Sequence, residues 1–145
     1  MSTIRRVSPE EARKLVDDEG YLYVDVRSEA EYAAGHPAGA QNLPFMHVGP
    51  GGMQPNPDFI TTAEALYPRD AKLVLGCRSG QRSLRAVEAL LNAGYTSIVD
   101  QRAGFEGRRD MFGKLLEPGW SVTGLPVAQS TPGGSYPELR KKAGL

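Results

Sequence analysis

Apolar residues near the start of the chain follow the spacing of an amphipathic helix. Ala12, Leu15 and Val16 are spaced so that they share one helical face. The four residues at 8–11, Ser-Pro-Glu-Glu, form a capping box with proline at the first helical position. Gly20 is suited to end the helix, because glycine readily adopts the left-handed conformation of a C-cap. The pattern therefore predicts a helix between Ser8 and Gly20.

Short apolar runs alternate with helical stripes along the rest of the chain. Strands are predicted at residues 21–26, 40–43, 72–76 and 97–100. Short helical or turn segments are predicted at residues 27–35, 59–67, 83–93 and 104–114, the last as a turn followed by a helix. Glycines and prolines predict a long loop at residues 45–58. Strands alternating with helices predict an α/β fold with a parallel sheet.

The 145 residues have the length of one compact domain. Residues 128–135, Ala-Gln-Ser-Thr-Pro-Gly-Gly-Ser, have the composition of a linker. Residues 136–145 are too few to form a domain. We therefore predict a domain at residues 1–127 and a C-terminal linker and tail at residues 128–145.

Charge and composition narrow the function classes. The 17 basic residues balance the 17 acidic residues, which argues against a nucleic-acid binder. One cysteine excludes an internal disulfide and a multi-thiolate metal site, and the two histidines lack a metal-ligand spacing. No apolar run is long enough to span a membrane, and helix signals follow the basic N-terminus where a signal peptide would have an apolar run. We expect a cytoplasmic protein without a metal or cofactor.

Candidate chemistry is concentrated at residues 75–83, Leu-Gly-Cys-Arg-Ser-Gly-Gln-Arg-Ser. Cys77 follows a predicted buried strand and precedes a predicted helix, and ligands of open α/β sheets lie beyond the carboxyl ends of strands. An anion is favoured at this loop by its backbone N–H groups, by the helix N-terminus and by the charges of Arg78, Arg82 and Arg85. The thiolate of Cys77 would itself be such an anion, and it would be a nucleophile. Two simpler interpretations remain open: Cys77 is a core thiol, and Arg85 only faces solvent.

Several further segments carry a family resemblance. Asp-Val-Arg-Ser-Glu-Ala-Glu-Tyr occupies residues 25–32, and Gly-His-Pro-Ala-Gly-Ala-Gln-Asn-Leu-Pro occupies residues 35–44. Gly-Tyr at 94–95 and Gly-Phe at 104–105 follow the cysteine loop in order. Over residues 4–127 the chain resembles the rhodanese family of single-domain sulfurtransferases. One departure concerns the turn: Pro37 follows His36 directly, where the family has an aliphatic residue between them.

The resemblance implies a rhodanese-like α/β fold, with a central parallel sheet and helices on both faces. It implies that Cys77 attacks the outer sulfur of a donor and carries it as a persulfide. The loop N–H groups would hold the persulfide, and the arginines would hold the charged donor. The implied substrate-binding residues are Arg78, Ser79, Gly80, Gln81, Arg82 and Ser83. The Cys-Arg-x-Gly-x-Arg pattern is similar to that of family members that use thiosulfate as the sulfur donor. The implied acceptor of the sulfur is a small thiol, cyanide or a cysteine of a partner protein.

Two other functions remain open. The chain could be a sulfur carrier that receives its sulfur from a partner protein, with the 45–58 loop or the 128–145 tail as the contact surface. Cysteine phosphatases also hold a thiolate in an anion cradle, but they need Cys-x5-Arg. Arg82 lies five residues after Cys77, so this loop is one residue short for a phosphate.

Other polar and aromatic residues have structural interpretations. Asp25 and Arg27 are expected to form ion pairs that join adjacent loops, with Glu29 or Glu31 as candidate partners; the alternative is that Arg27 lines the mouth of the pocket. His36 is expected to make a backbone hydrogen bond in a turn. Trp120 is expected to pack the C-terminal segment onto the domain. Four residues have an alternative role around the pocket, as an apolar rim or near the acceptor: Phe45, Met46, Phe105 and His47.

Overall fold

The computed structural model describes residues 4–145, and Met1–Thr3 of the predicted domain lie outside the described residues. The strands are β1 (Arg6–Val7), β2 (Leu22–Asp25), β3 (His36–Pro37), β4 (Gln41–Asn42), β5 (Met46–Gly49), β6 (Gly52–Pro55), β7 (Leu73–Gly76), β8 (Ile98–Gln101), β9 (Gly107–Arg109), β10 (Leu115–Pro118) and β11 (Val127–Ala128). The helices are α1 (Pro9–Glu19), α2 (Glu29–Ala34), α3 (Phe59–Leu66), α4 (Gln81–Asn92) and α5 (Tyr136–Ala143), with a 3-10 turn at Trp120–Val122.

A five-stranded sheet with the order β1-β8-β7-β2-β4 forms the centre of the fold, and its neighbouring strands are parallel. Asp25 at the end of β2 pairs with Gly76 at the end of β7. Because parallel strands end at the same edge, the segments that follow these two residues meet there. The register therefore brings the Cys77 loop beside the segment that leads into α2.

Both faces of this sheet are covered, because successive side chains of a strand point to opposite faces. On one face, Tyr23, Val74 and Val99 pack in a cluster with Leu15 of α1 and with Trp120. On the other face, a second cluster joins the strands to α3, α4 and α5; its members include Val24, Leu75, Ala63, Val87 and Leu139. The predicted parallel sheet with helices on both faces is confirmed.

The capping signals of the first helix are also confirmed. The Glu11 N–H donates to Ser8 Oγ at 3.1 Å, and the Ser8 N–H donates to Glu11 Oε1 at 2.9 Å. Gly20 ends α1 in the left-handed conformation, with φ at 75°. A second capping box, between Ser28 and Glu31, begins α2. These local hydrogen bonds satisfy backbone donors that a helix end leaves unpaired.

Two predictions of local structure are wrong. Residues 45–58 contain a hairpin, in which β5 pairs with β6 across a turn that ends at Gly52 with φ at 100°. Residues 104–114 hold a turn and strand β9, which pairs with β10, and no helix. Asp110 Oδ1 accepts the N–H groups of Phe112 and Lys114, both at 2.9 Å. Such side-chain bonds to nearby backbone favour a turn over a helix.

The C-terminal segment packs against the rest of the fold. Strand β11 pairs with β3, and the buried Trp120 donates from Nε1 to the Pro126 carbonyl at 2.8 Å, which confirms the packing predicted for Trp120. Tyr136 and Leu139 of α5 are buried in the core cluster that covers one face of the sheet. The domain boundary at residue 127 stays a prediction, but the residues after it are integrated into the core.

The helices of residues 4–145 are short. The longest, α4, has 12 residues. Within this range no helix combines the length and the apolar character that crossing a membrane requires.

Candidate active site

Cys77 lies directly after β7, at the carboxyl end of the central sheet, and is 2% exposed. The Gly80 N–H points at its sulfur, with 3.1 Å between N and Sγ. Ser83 Oγ lies 3.4 Å from the same sulfur. Helix α4 begins at Gln81, two residues earlier than predicted, so the sulfur lies beside its N-terminus. Backbone dipoles of the helix and the Gly80 N–H therefore favour negative charge on this sulfur.

Two glycines make this tight loop possible. A Cβ on Gly76 would lie 1.8 Å from Tyr23 Oη. A Cβ on Gly80 would lie 2.2 Å from the Arg102 carbonyl oxygen, and φ at Gly80 is 99°. Any larger residue at either position would collide with buried neighbours or strain the backbone.

The segment after β8 is hydrogen-bonded to the backbone of the Cys77 loop. Phe105 N–H donates to the Cys77 carbonyl at 2.8 Å, and Glu106 N–H donates to the Arg78 carbonyl at 2.9 Å. Buried Gln101 shapes this segment, because its Oε1 accepts the N–H groups of Ala103 and Gly104, both at 2.9 Å. Sequence reasoning missed Gln101; its only signal was a polar residue directly after the apolar strand.

Arg82, predicted to bind the donor, forms a two-pronged ion pair with Glu31 of α2. Its Nη1 and Nη2 lie 2.7 Å and 2.9 Å from the two carboxylate oxygens. Burial opposes ionisation of Glu31, but hydrogen bonds from Arg82 and from the Ser28 backbone outweigh it and lower its pKa to about 2. Glu31 is thus a neighbour of the site, where the sequence analysis considered it only as an ion-pair partner of Asp25 and Arg27.

The other predicted binding residues divide by exposure. Arg78 is exposed and forms an ion pair with Glu106, and Ser79 and Gln81 are exposed beside it. Arg85 is exposed on α4, as the simpler interpretation expects. Of the predicted set, the structure brings Gly80 and Ser83 into contact with the sulfur of Cys77. Substrate binding by any of the six predicted residues stays a prediction.

A buried ion pair borders the site on the β2 side. Arg27 Nη2 lies 2.7 Å from Asp25 Oδ2 and donates to the Gly35 carbonyl at 2.6 Å. The Arg27 guanidinium carbon lies 4.4 Å from the centroid of the Phe105 ring. Asp25 and Arg27 are ion-paired as expected, but with each other and not with the predicted partners Glu29 or Glu31. The pair joins the end of β2 to the turn after α2.

Asp100 is a fully buried carboxylate beneath the loop, and the sequence analysis did not single it out. Arg6 Nε donates to its Oδ2 at 2.7 Å, while Oδ1 has no hydrogen-bond partner within residues 4–145. Burial raises the pKa of Asp100, against the lowering influence of Ser83 and Arg6. Arg6 also donates to the Gly80 carbonyl at 3.3 Å. This pair therefore attaches the edge strand β1 to the loop.

The remaining candidates have mainly structural contacts. His36 is buried, with Nδ1 at 2.8 Å from the Tyr32 carbonyl, which confirms its backbone hydrogen bond. Phe45 packs edge-on against Phe59, with 5.1 Å between the ring centroids. His47 lies in β5 with its ring 5.7 Å from that of Tyr136. Among residues 4–145 no three His, Cys, Asp or Glu side chains are grouped to hold a metal ion.

The fold and the site together define a class: α/β proteins with one cysteine that lies beside a backbone N–H and a helix N-terminus at the carboxyl edge of a parallel sheet. The profile of the Rhodanese-like domain family matches residues 8–109. The chain belongs to this family.

Relatives and solved structures agree with this assignment. Thiosulfate sulfurtransferase 16, chloroplastic, of Arabidopsis thaliana is 36% identical over 108 residues, which cover 74% of this chain and 80% of that protein. Rhodanese-like domain-containing protein 15, chloroplastic, of the same plant is 39% identical over 118 residues, covering 81% of this chain and 58% of that protein. The crystal structure of Rv0390 from M. tuberculosis superposes with a TM-score of 0.71 at 31% identity, covering 89% of this chain and all of that one.

Proposed function

We propose that this protein is a sulfurtransferase that moves the sulfane sulfur of thiosulfate to a thiol or cyanide acceptor through a persulfide on Cys77. The observation that carries the proposal is the Gly80 N–H aimed at the Cys77 sulfur beside the α4 N-terminus. Such a cradle stabilises a thiolate before transfer and a persulfide anion after it. A relative named thiosulfate sulfurtransferase supports thiosulfate as donor.

The proposed cycle has two displacements at sulfur. The Cys77 thiolate, whose proton has gone to solvent, attacks the outer sulfur of thiosulfate. A sulfur–sulfur bond forms to Cys77, and the bond to the sulfonate sulfur breaks, so that sulfite leaves with the electron pair. An acceptor thiolate or cyanide then attacks the outer sulfur of the persulfide and releases the Cys77 thiolate. Since the chain has one cysteine, the acceptor must come from outside it.

The two loop arginines have different roles in this proposal. Arg78 is exposed, and its ion pair with Glu106 is of the surface type that contributes little stability. It can leave Glu106 to meet the dianionic donor. Arg82 is mostly buried against Glu31, so it contributes a fixed positive charge and ties α4 to α2. Arg78→Ala should therefore raise KM for thiosulfate with little change in kcat.

Intact mass after incubation with thiosulfate tests the proposal. Wild type should gain the mass of one sulfur atom and lose it on addition of cyanide, while Cys77→Ser should gain nothing. Arg85→Ala is a matched control, because Arg85 is exposed on the same helix; it should gain sulfur as wild type does. A wild type without the added mass would contradict the assignment of thiosulfate as donor.

A sulfur carrier that is loaded by a partner protein is the second candidate. It is favoured by exposed apolar side chains on two hairpins, among them Val48 and Phe112. Rapid sulfur uptake from a cysteine desulfurase beside weak thiosulfate turnover would support it. A phosphate-ester assay tests the phosphatase alternative, for which the loop is one residue short. The cytoplasmic location stays a prediction.

A further inference from the structure

The hairpin formed by β9 and β10 carries apolar side chains at its turn. Met111 and Phe112 are 89% and 88% exposed, and Leu115 and Leu116 are also exposed. Single apolar residues on a surface are ordinary, but a contiguous group is typical of a contact site. We refer to residues 108–116 as the hairpin tip.

The hairpin tip is held in a defined shape. Asp110 accepts backbone N–H groups from Phe112 and Lys114, and Arg109 Nη1 donates to the Gly113 carbonyl at 2.8 Å. Gly113 has φ at 82°, which suits the turn. The apolar side chains are therefore presented by a preorganised turn, which lowers the entropic cost of binding.

The base of the hairpin that carries the tip contacts the Cys77 loop. Glu106, the residue before β9, pairs with the Arg78 side chain and donates its N–H to the Arg78 carbonyl at 2.9 Å. Phe112 lies six positions after Glu106, so the two are at most about 21 Å apart. A standard interface of roughly 800 Å² per partner extends over a similar distance. One partner can therefore cover the tip and the loop together.

Charge indicates the kind of partner. Arg108, Arg109 and Lys114 are exposed and form no salt bridge with other side chains of residues 4–145. Of the acids nearby, Asp110 is used in the turn and Glu117 pairs with Arg102 at 2.9 Å. The tip therefore has an apolar centre with a basic edge, which complements an apolar pocket bordered by carboxylates.

We propose that the hairpin tip docks a thiol-bearing acceptor protein whose surface carries an apolar pocket bordered by Asp and Glu, and so presents its cysteine to the Cys77 persulfide. This inference rests on the proposed function. A protein is favoured over a lipid surface because the base of the hairpin contacts the loop that holds the sulfur, and a lipid headgroup has no thiol to accept it.

Two synthetic thiol peptides provide the test. Each has an N-terminal cysteine and a spacer of about eight glycine and serine residues, which spans up to about 28 Å. One continues with Leu-Phe and a run of aspartates, and the other with Leu-Phe and a run of lysines. Radioactive sulfur is loaded on Cys77 from labelled thiosulfate, and its transfer to each peptide and to dithiothreitol is measured as kcat/KM.

Phe112→Ser tests the tip, and Val48→Ser, which removes an exposed apolar side chain from the β5–β6 hairpin, is the matched control. We expect Phe112→Ser to lower kcat/KM for the acidic peptide about tenfold, the effect of losing one good apolar contact. Phe112→Ser should transfer sulfur to dithiothreitol at the rate of wild type. Val48→Ser should equal wild type in its transfer to dithiothreitol and to both peptides. Wild type should prefer the acidic peptide over the basic one.

The outcomes separate the two proposals. If wild type takes up no sulfur, the proposed function fails and the docking proposal falls with it. The docking proposal alone is overturned by a second outcome. In that outcome transfer to dithiothreitol is normal, and Phe112→Ser has the same kcat/KM as wild type for both peptides. A third outcome would overturn the docking proposal in favour of a membrane contact. In that outcome wild type sediments with phosphatidylserine vesicles, Phe112→Ser does not, and both have the same rates of transfer to the peptides.

Discussion

Replacement of Arg82 by alanine tests how much of the site is held by the ion pair with Glu31. The pair joins α2 to the start of α4, and Arg82→Ala leaves the Glu31 carboxylate half-buried without its guanidinium. A pKa of about 2 for Glu31, against an ordinary 4.5, corresponds to about 3 kcal/mol in favour of the folded state at neutral pH. Because the Ser28 hydrogen bonds to Glu31 remain in Arg82→Ala and both side chains retain some contact with solvent, we reduce this to about 1.5 kcal/mol.

The pH dependence of this contribution has a definite sign. The pKa of Glu31 is lower in the folded state than in the unfolded chain, so the folded state is stabilised above the ordinary pKa. The contribution is lost as the pH falls from 4.5 towards 2, where the folded state also takes up the proton. Wild type should therefore lose its advantage over Arg82→Ala in acid.

Urea unfolding at two pH values provides the measurement. The free energy of unfolding of Arg82→Ala should lie about 1.5 kcal/mol below that of wild type at neutral pH and about 0.9 kcal/mol below it near pH 3.5. Arg85→Ala, on the exposed side of the same helix, should differ from wild type by less than about 0.5 kcal/mol at both. A difference for Arg82→Ala that does not change with pH would refute the reasoning.

Three further predictions concern the support of the site. Gly80→Ala should lower the free energy of unfolding by about 3 kcal/mol in a urea titration, because its Cβ would meet the Arg102 carbonyl at 2.2 Å; an unchanged midpoint would contradict the close approach. Leu139→Ala should cost about 2–5 kcal/mol by the same measurement, and a neutral effect would show that α5 is not part of the core. Burial raises the pKa of Asp100, so wild type should lose stability relative to Asp100→Asn as the pH rises above about 4; a constant difference across that range would count against it.

Local signals were enough to predict the elements that position the nucleophile. The capping box at Ser8, the apolar strand before Cys77 and the helix after it depend on neighbours within a few residues, which the chain displays directly. The alternation of these elements also predicted the parallel sheet with helices on both faces, and the ordered motifs indicated the family.

The errors fall where local signals compete. In the segments 45–58 and 104–118, turn residues separate two short strands that stabilise each other only by pairing. A turn at Asp110 replaces the helix that was predicted after Gly104, because the Asp110 carboxylate accepts two backbone N–H groups. A strand of three or four residues has little periodicity of its own, so its partner decides its structure.

By itself, the sequence determined the class of fold, the position of Cys77 at a strand end and the loop length that disfavours a phosphate. Only the tertiary structure decided which charges neutralise which, since Arg82 meets Glu31 across 51 positions and Arg6 meets Asp100 across 94. It also placed α5 in the core and left the β9–β10 turn exposed. The physical reason is that helix caps and strand runs are stabilised by near neighbours, whereas ion pairs and burial depend on which faces the whole chain brings together.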